Sequence, residues 1–126
     1  MVGAYAAVGF ASSTASKALW SANPVTITFS GSTGIGSSGS VGESVKCAPK
    51  QDNVVFHTTV SNPAKISLTT SPNGEATCGP APDTVTITAT CLVAAPNCKG
   101  TYSGTVTILQ GYATIPPSLA VTIVVT

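Results

Sequence analysis

Four cysteines are the residues of this chain best suited to covalent chemistry: Cys47, Cys78, Cys91 and Cys98. An even number of cysteines without a Cys-x-x-Cys pair is typical of disulfides formed in an oxidising environment, although spacing alone leaves three connectivities open. Cys91 and Cys98 flank a short connection between two predicted strands, which favours the pairs Cys91–Cys98 and Cys47–Cys78. Buried free thiols are the alternative.

The other reactive side chains are few and dispersed. The cysteine spacings lack the close ligand pairs of zinc sites. His57 is the only histidine and alternates onto a threonine-rich outward face, which predicts a surface residue. The carboxylates Glu43, Asp52, Glu75 and Asp83 fall in predicted loops and strand starts, without the clustering of a calcium site or the pairing of a glycosidase. We therefore expect no enzymatic activity, no cofactor and no metal.

Charge is scarce in this chain of 126 residues. Only 7% of residues are charged, there is no arginine, and the formal net charge is +1, whereas soluble domains usually carry about a quarter charged residues. Nucleic-acid binding needs clustered lysine or arginine and is not expected. No run of eighteen apolar residues occurs, so no segment is predicted to span a membrane by itself.

Apolar residues alternate with threonine and serine in most of the chain, which is the pattern of half-buried strands. The turns between them are rich in Gly, Pro, Asn and Ser. We predict an all-β fold, an immunoglobulin-like antiparallel sandwich of two sheets. About seven strands are expected, within residues 25–29, 45–47, 53–60, 66–68, 83–91, 101–108 and 119–125. Residues 31–39 and 110–118 are predicted loops.

The first 22 residues are predicted to form an N-terminal assembly segment, followed by a single sandwich domain over residues 23–126. Alternate apolar positions of this segment would face a groove if it is a strand: Val2, Ala4, Ala6, Val8 and Phe10. A helix is the alternative, because Gly3, Ala7, Ala11 and Ala15 form a stripe of small residues. Residues 12–16 are a polar connector, and Trp20 is expected to cover one end of the core.

Residues 99–108 contain Gly-Thr-Tyr-Ser-Gly-Thr-Val-Thr and are followed by the apolar alternation of residues 119–125. This pair resembles the last two strands of immunoglobulin-like modules in microbial surface proteins. The layout of the whole chain resembles subunits of donor-strand filaments, such as archaeal bundling pili and threads or bacterial chaperone-usher pili. It is more distantly similar to archaeal type IV pilins, whose N-terminal segment is a helix.

These resemblances imply a structural subunit of an extracellular, pilus-like filament at the cell surface. Its partners would be copies of itself, and also the cell surface or neighbouring filaments. An apolar strand that adds to the sheet of the next copy makes a head-to-tail contact that does not close, and such contacts propagate. The alternative is an adhesion or binding module of a larger secreted protein, whose loops, including Tyr112, would contact a ligand.

Overall fold

The computed structural model describes residues 16–72 and 76–126, and their regular structure is entirely β-strand. Within these ranges there is no helix whose length and hydropathy would let it cross a membrane. The strands are β1 (Lys17–Trp20), β2 (Val25–Phe29), β3 (Ser38–Ala48), β4 (Gln51–Val60), β5 (Ile66–Ser71), β6 (Ala76–Cys78), β7 (Asp83–Cys91), β8 (Gly100–Gln110) and β9 (Ala113–Val125).

The strands form two sheets that pack face to face. The first sheet has the order β1-β3-β7-β5 and the second the order β2-β9-β8-β4-β6. Neighbouring strands are antiparallel except β2 and β9, which run parallel from the Val25–Val121 pair to the Phe29–Val125 pair. The predicted all-β sandwich of two sheets is confirmed.

The core lies between the sheets and follows the predicted alternation. On β7, Val85, Ile87, Ala89 and Cys91 face inward and are each at most 1% exposed. The intervening threonines face outward, where their hydroxyls stay hydrated. Each fully buried Val, Leu or Ile contributes about 1.5–3 kcal/mol relative to an exposed one, so this alternation is the main source of stability. The same alternation places the apolar residues of β2, β8 and β9 inside.

Two strands are longer than the sequence predicts. β3 begins at Ser38 and β9 at Ala113, although residues 31–39 and 110–118 are predicted loops. The start of β3, Ser-Gly-Ser-Val-Gly, has almost no apolar alternation, but its backbone pairs with β7 from Ser38–Thr90 onward. The start of β9 contains Pro116 and Pro117, and residues 113–115 pair with the end of β8. Backbone pairing, which side-chain patterns do not report, causes both differences: pairing with the distant strand β7 for β3, and pairing within the β8–β9 hairpin for β9.

The sandwich includes Lys17–Trp20, which lie ahead of residue 23, where the sequence places the start of the domain. These residues form β1 and pair with the end of β3. Trp20 is buried, as expected. The backbone N–H of Ser21 still donates to the carbonyl of Ser44 in β3, at 2.9 Å, and the chain then crosses to β2 of the second sheet. The described residues thus contain nine strands rather than about seven, because β1 and β6 are too short for a recognisable period.

Gly104 marks a close approach of β8 to its neighbours. A Cβ atom at this position would lie 2.8 Å from both the carbonyl oxygen of Thr59 and the Cδ2 atom of Leu68. Such a distance requires the backbone of β4 to shift. Gly42 of β3 differs, since the nearest atom to its Cβ position would be Thr84 Cγ2 at 3.8 Å, an ordinary contact.

We expect Gly104→Ala to lower the free energy of unfolding by about 1–3 kcal/mol, as overpacking in a tight core does. Gly42→Ala is the matched control and should be neutral or slightly stabilising, because it restricts the unfolded chain. Urea denaturation of both variants measures the difference. Equal stabilities of the two variants would show that the approach at Gly104 is not constrained.

Candidate assembly surface

The described chain begins at one end of the sandwich, here called the entry pole. The hydroxyl of Ser16 donates to the carbonyl of Pro49 at 2.9 Å, and β1 then pairs with the last residues of β3. The predicted assembly residues all lie outside the described residues: Val2, Ala4, Ala6, Val8 and Phe10. The structure shows where the described chain begins after them, at Ser16.

The cysteines form the two pairs that the sequence favoured, Cys47–Cys78 and Cys91–Cys98. The two disulfides lie at opposite ends of the sandwich. Cys47 pairs with Cys78 at the entry pole, joining the end of β3 to β6. Cys91 pairs with Cys98 at the other end, here called the cap pole, between β7 and β8. All four residues are fully buried. Two disulfides are consistent with folding in an oxidising environment.

Removing the Cys47–Cys78 disulfide is expected to cost more stability than removing Cys91–Cys98. The sequence separations are 31 and 7 residues, and a longer loop loses more conformational entropy in the unfolded chain when it is closed. The expected losses are about 3–4 kcal/mol and about 2 kcal/mol. Denaturation of the double variants C47A/C78A and C91A/C98A measures them.

Peptide mapping without reduction provides the control for that comparison. Two cross-linked peptides, one for each pair, are expected from the untreated protein. A peptide that joins Cys47 to Cys91 would contradict the connectivity.

Glu43 differs from its sequence-based description as a residue of a loop or strand start. It lies in the middle of β3, faces inward between Val41 and Val45, and is only 5% exposed. Its carboxylate accepts a hydrogen bond from the backbone N–H of Ala22, which holds the crossing between β1 and β2. The alternation Val41-x-Glu43-x-Val45 places Glu43 on the same strand face as two valines, and this pattern could have predicted that Glu43 faces inward.

The remaining titratable side chains do not converge on a site. His57 faces outward on β4, and Asp52 forms an exposed ion pair with Lys50 at 3.7 Å, of a kind that contributes little to stability. In residues 16–72 and 76–126, no three His, Cys, Asp or Glu side chains are grouped so that they could hold a metal ion.

The outer face of the first sheet is a hydroxyl face. Three of its four strands present serine and threonine in register, for example Ser40, Thr88 and Thr69 across β3, β7 and β5. The hydroxyls of Ser40 and Thr88 lie 2.8 Å apart. The members are Ser38, Ser40, Ser44, Ser67, Thr69, Ser71, Thr84, Thr86, Thr88 and Thr90. Lys17 and Lys46 lie on the same outer face, towards the entry pole, so another surface can approach the serine and threonine side chains without desolvating a charge.

The edge of β9 is closed by side chains where no strand covers it. β2 pairs with β9 only from Val121 onward. Ahead of that point, the side-chain amide of Asn23 donates to the carbonyl of Ser118 and accepts from the N–H of Ala120, both at 3.0 Å. The indole N–H of Trp20 donates to the carbonyl of Pro117, also at 3.0 Å. These side chains replace the hydrogen bonds of an edge strand.

We expect Asn23→Ala to reduce the free energy of unfolding by about 1 kcal/mol, because it removes two partners from the β9 backbone at a partly solvated position. Asn23→Asp is the matched variant. It keeps the acceptor for the Ala120 N–H but loses the donor to the Ser118 carbonyl, so its loss should be intermediate above pH 6. Thermal unfolding measures both variants, and an unchanged Asn23→Ala protein would contradict the role of this side chain.

The edge of β3 is open over part of its length. β1 covers β3 only from Val45 to Ala48, so residues 38–43 have a partner strand on one side only among the described residues. We call residues 38–43 the open edge. Inward-facing Val41 is only partly buried there, whereas Val45 and Cys47, which β1 covers, are at most 1% exposed. An additional strand would complete the burial of Val41.

The open edge leads directly to an exposed apolar surface at the cap pole. We call this surface, formed by residues 31–37 and 92–97, the apolar cap. Neither loop contains a charged residue. Ile35 is 70% exposed and Leu92 43% exposed, and Ala94, Ala95 and Pro96 are exposed beside them.

The two loops of the apolar cap hold one another in place. Gly34 packs so closely that a Cβ atom there would lie 2.8 Å from the nitrogen of Ala95. The N–H of Gly36 donates to the carbonyl of Cys91, and the N–H of Cys91 donates to the carbonyl of Ser37. At the base of the second loop, the buried hydroxyl of Tyr102 donates to the carbonyl of Cys98 at 2.7 Å. The cap is therefore a preformed surface.

No protein-family model matches the chain, and no curated protein matches it.

Proposed function

We propose that this protein is a structural subunit of an extracellular, pilus-like filament. It polymerises when the apolar N-terminal segment of one copy inserts into the next copy. The supporting observation is that residues 16–72 and 76–126 form a two-sheet core without the first fifteen residues and leave one stretch of sheet edge, residues 38–43, without a partner strand among the described residues. An apolar segment ahead of Ser16 is then available to another molecule, and apolar surface of that size is unfavourable in water unless it is covered.

The sandwich is proposed to be immunoglobulin-like. Its first sheet, β1-β3-β7-β5, and the strands β9-β8-β4 of its second sheet correspond to the ABED and GFC sheets of that architecture. Tyr102, near the start of β8, bonds back to the carbonyl of Cys98, as the corner tyrosine of such domains does.

The surface suits a repetitive assembly rather than catalysis. The described charged side chains are few, and those on the outer face of the first sheet include Lys17 and Lys46, towards the entry pole. Copies that pack through the serine and threonine side chains of this face would bury no unpaired charge. The two disulfides would maintain the sandwich outside the cell, where reducing systems are absent.

Deleting residues 1–11 is expected to convert a polymerising protein into a soluble monomer with an unchanged sandwich. Negative-stain electron microscopy and light scattering measure assembly, and circular dichroism checks the fold. Filaments formed by the deleted protein would contradict the proposal, as would a full chain that stays monomeric at every concentration.

Single substitutions in the full chain separate the strand from the helix alternative for this segment. A strand predicts that Val8→Ser and Phe10→Ser impair assembly while Ala7→Leu, on the opposite strand face, does not. A helix predicts that Ala7→Leu impairs assembly, because it disrupts the stripe of small residues.

A second candidate function is a binding module of a larger surface protein. Tyr112 favours it, because this side chain is fully exposed at the β8–β9 turn, beside Gly111 with a φ of 61°. A full chain that is strictly monomeric in size-exclusion chromatography would favour this function over the filament.

A further inference from the structure

We infer that the apolar cap and the open edge together receive the N-terminal segment of a second copy. This inference rests on the proposed function and specifies where on the sandwich the contact is made. The incoming segment would cross the apolar cap and then add to residues 38–43 of β3 as an extra strand of the first sheet.

The positions of the two poles support a head-to-tail arrangement. The described chain starts at Ser16 at the entry pole, and the apolar cap lies at the opposite pole, where β3 starts and β7 ends. A segment that leaves one copy at its entry pole therefore meets the cap pole of the copy stacked beneath it. Because the two surfaces lie at opposite ends, the contact is heterologous and repeats without closing.

The chemistry of the apolar cap suits an apolar segment. Ile35 and Leu92 expose most and nearly half of their surface, respectively, in loops without charged side chains. Covering them with the apolar residues of the segment would remove both surfaces from water, which is favourable in proportion to the apolar area covered. The mutual contacts of the loops leave little conformational entropy to lose on binding, which favours affinity.

The open edge suits the rest of the segment in length and in side-chain size. At about 3.3 Å per residue, residues 38–43 span roughly 20 Å and residues 2–10 of the incoming copy roughly 30 Å. The segment is therefore longer than the open edge, and its excess length can cross the apolar cap. Gly39 lies so near β2 that a Cβ atom would be 2.9 Å from Phe29. The two sheets therefore approach closely at this edge, so an added strand would need small inward side chains there, such as Ala4 and Ala6.

The direction of insertion follows from the connection to Ser16. Residues close to the connector, such as Phe10, would contact the apolar cap, because they are the first to leave the entry pole. Residues nearer the start of the chain would lie along β3. Once added, the strand would cover the partly buried side chain of Val41 and bond the free backbone groups of the open edge.

The test uses substitutions in the full chain. Ile35→Asp and Leu92→Asp are expected to raise the critical concentration for filament formation at least tenfold, with an unchanged unfolding temperature because both side chains are exposed. Val55→Asp is the matched control. Val55 is 40% exposed on the outer face of β4, away from the cap, and its substitution should leave assembly unaltered.

Cross-linking provides a second, independent measurement. Phe10 is replaced by p-benzoylphenylalanine in the full chain, and unlabelled and isotope-labelled copies are mixed before irradiation. We expect mixed-isotope cross-links from position 10 to residues 31–37 or 92–97. Cross-links within one copy, or only to the edges formed by β5 or β6, would overturn the inference.

Failure of this inference differs from failure of the proposed function. If the full chain forms filaments that depend on residues 1–11, but Ile35→Asp and Leu92→Asp assemble normally, the filament proposal stands and the cap is not its acceptor. If the full chain never assembles, both are wrong.

Discussion

The hydrogen-bonding groups at the sheet edges are the constraint that organises this molecule. A sandwich of two open sheets exposes rows of N–H and C=O groups, and a protein must pair them, shield them or use them. Here the chain crosses from the first sheet to the second between Trp20 and Val25. In that crossing, the side chains of Asn23 and Trp20 bond the edge of β9, and the N–H of Ala22 bonds the buried carboxylate of Glu43. Because the chain leaves the first sheet there, β1 pairs with β3 only from Val45 onward. The open edge is the direct consequence.

The same crossing gives the sandwich two different ends. One end carries the connection to the N-terminal segment, and the other carries two uncharged loops in which Ile35 and Leu92 are exposed. A molecule with an apolar segment at one end and an apolar surface at the other has the polarity that a head-to-tail polymer needs. Low charge and the hydroxyl face add no electrostatic barrier to lateral contact. The filament proposal combines these properties without invoking catalytic chemistry.

Much of the fold was predictable because burial on one face imposes a period of two. Val85, Ile87 and Ala89 face inward as predicted, and the cysteine pairs are those that the strand connections favoured. Pairing of the backbone was not predictable in the same way. Residues 38–42 and 113–118 join strands although their side chains show no clear alternation. The partner of the first range is the distant strand β7, and the second range is paired within the β8–β9 hairpin, whose backbone hydrogen bonds no side-chain pattern records. For the candidate site, the sequence identified the apolar segment but not the apolar cap and open edge that we propose as its acceptor.

The sequence by itself determined the all-β class, the inward faces of the long strands, the scarcity of charge and the apolar character of residues 1–11. These properties depend on local composition and periodicity, which a linear pattern records completely. Only the tertiary structure decided that β1 belongs to the first sheet, that Glu43 is buried, and that Ile35 and Leu92 share one surface. Those facts depend on which strands become neighbours, and loop closure brings together residues whose separation along the chain carries no signal of their contact.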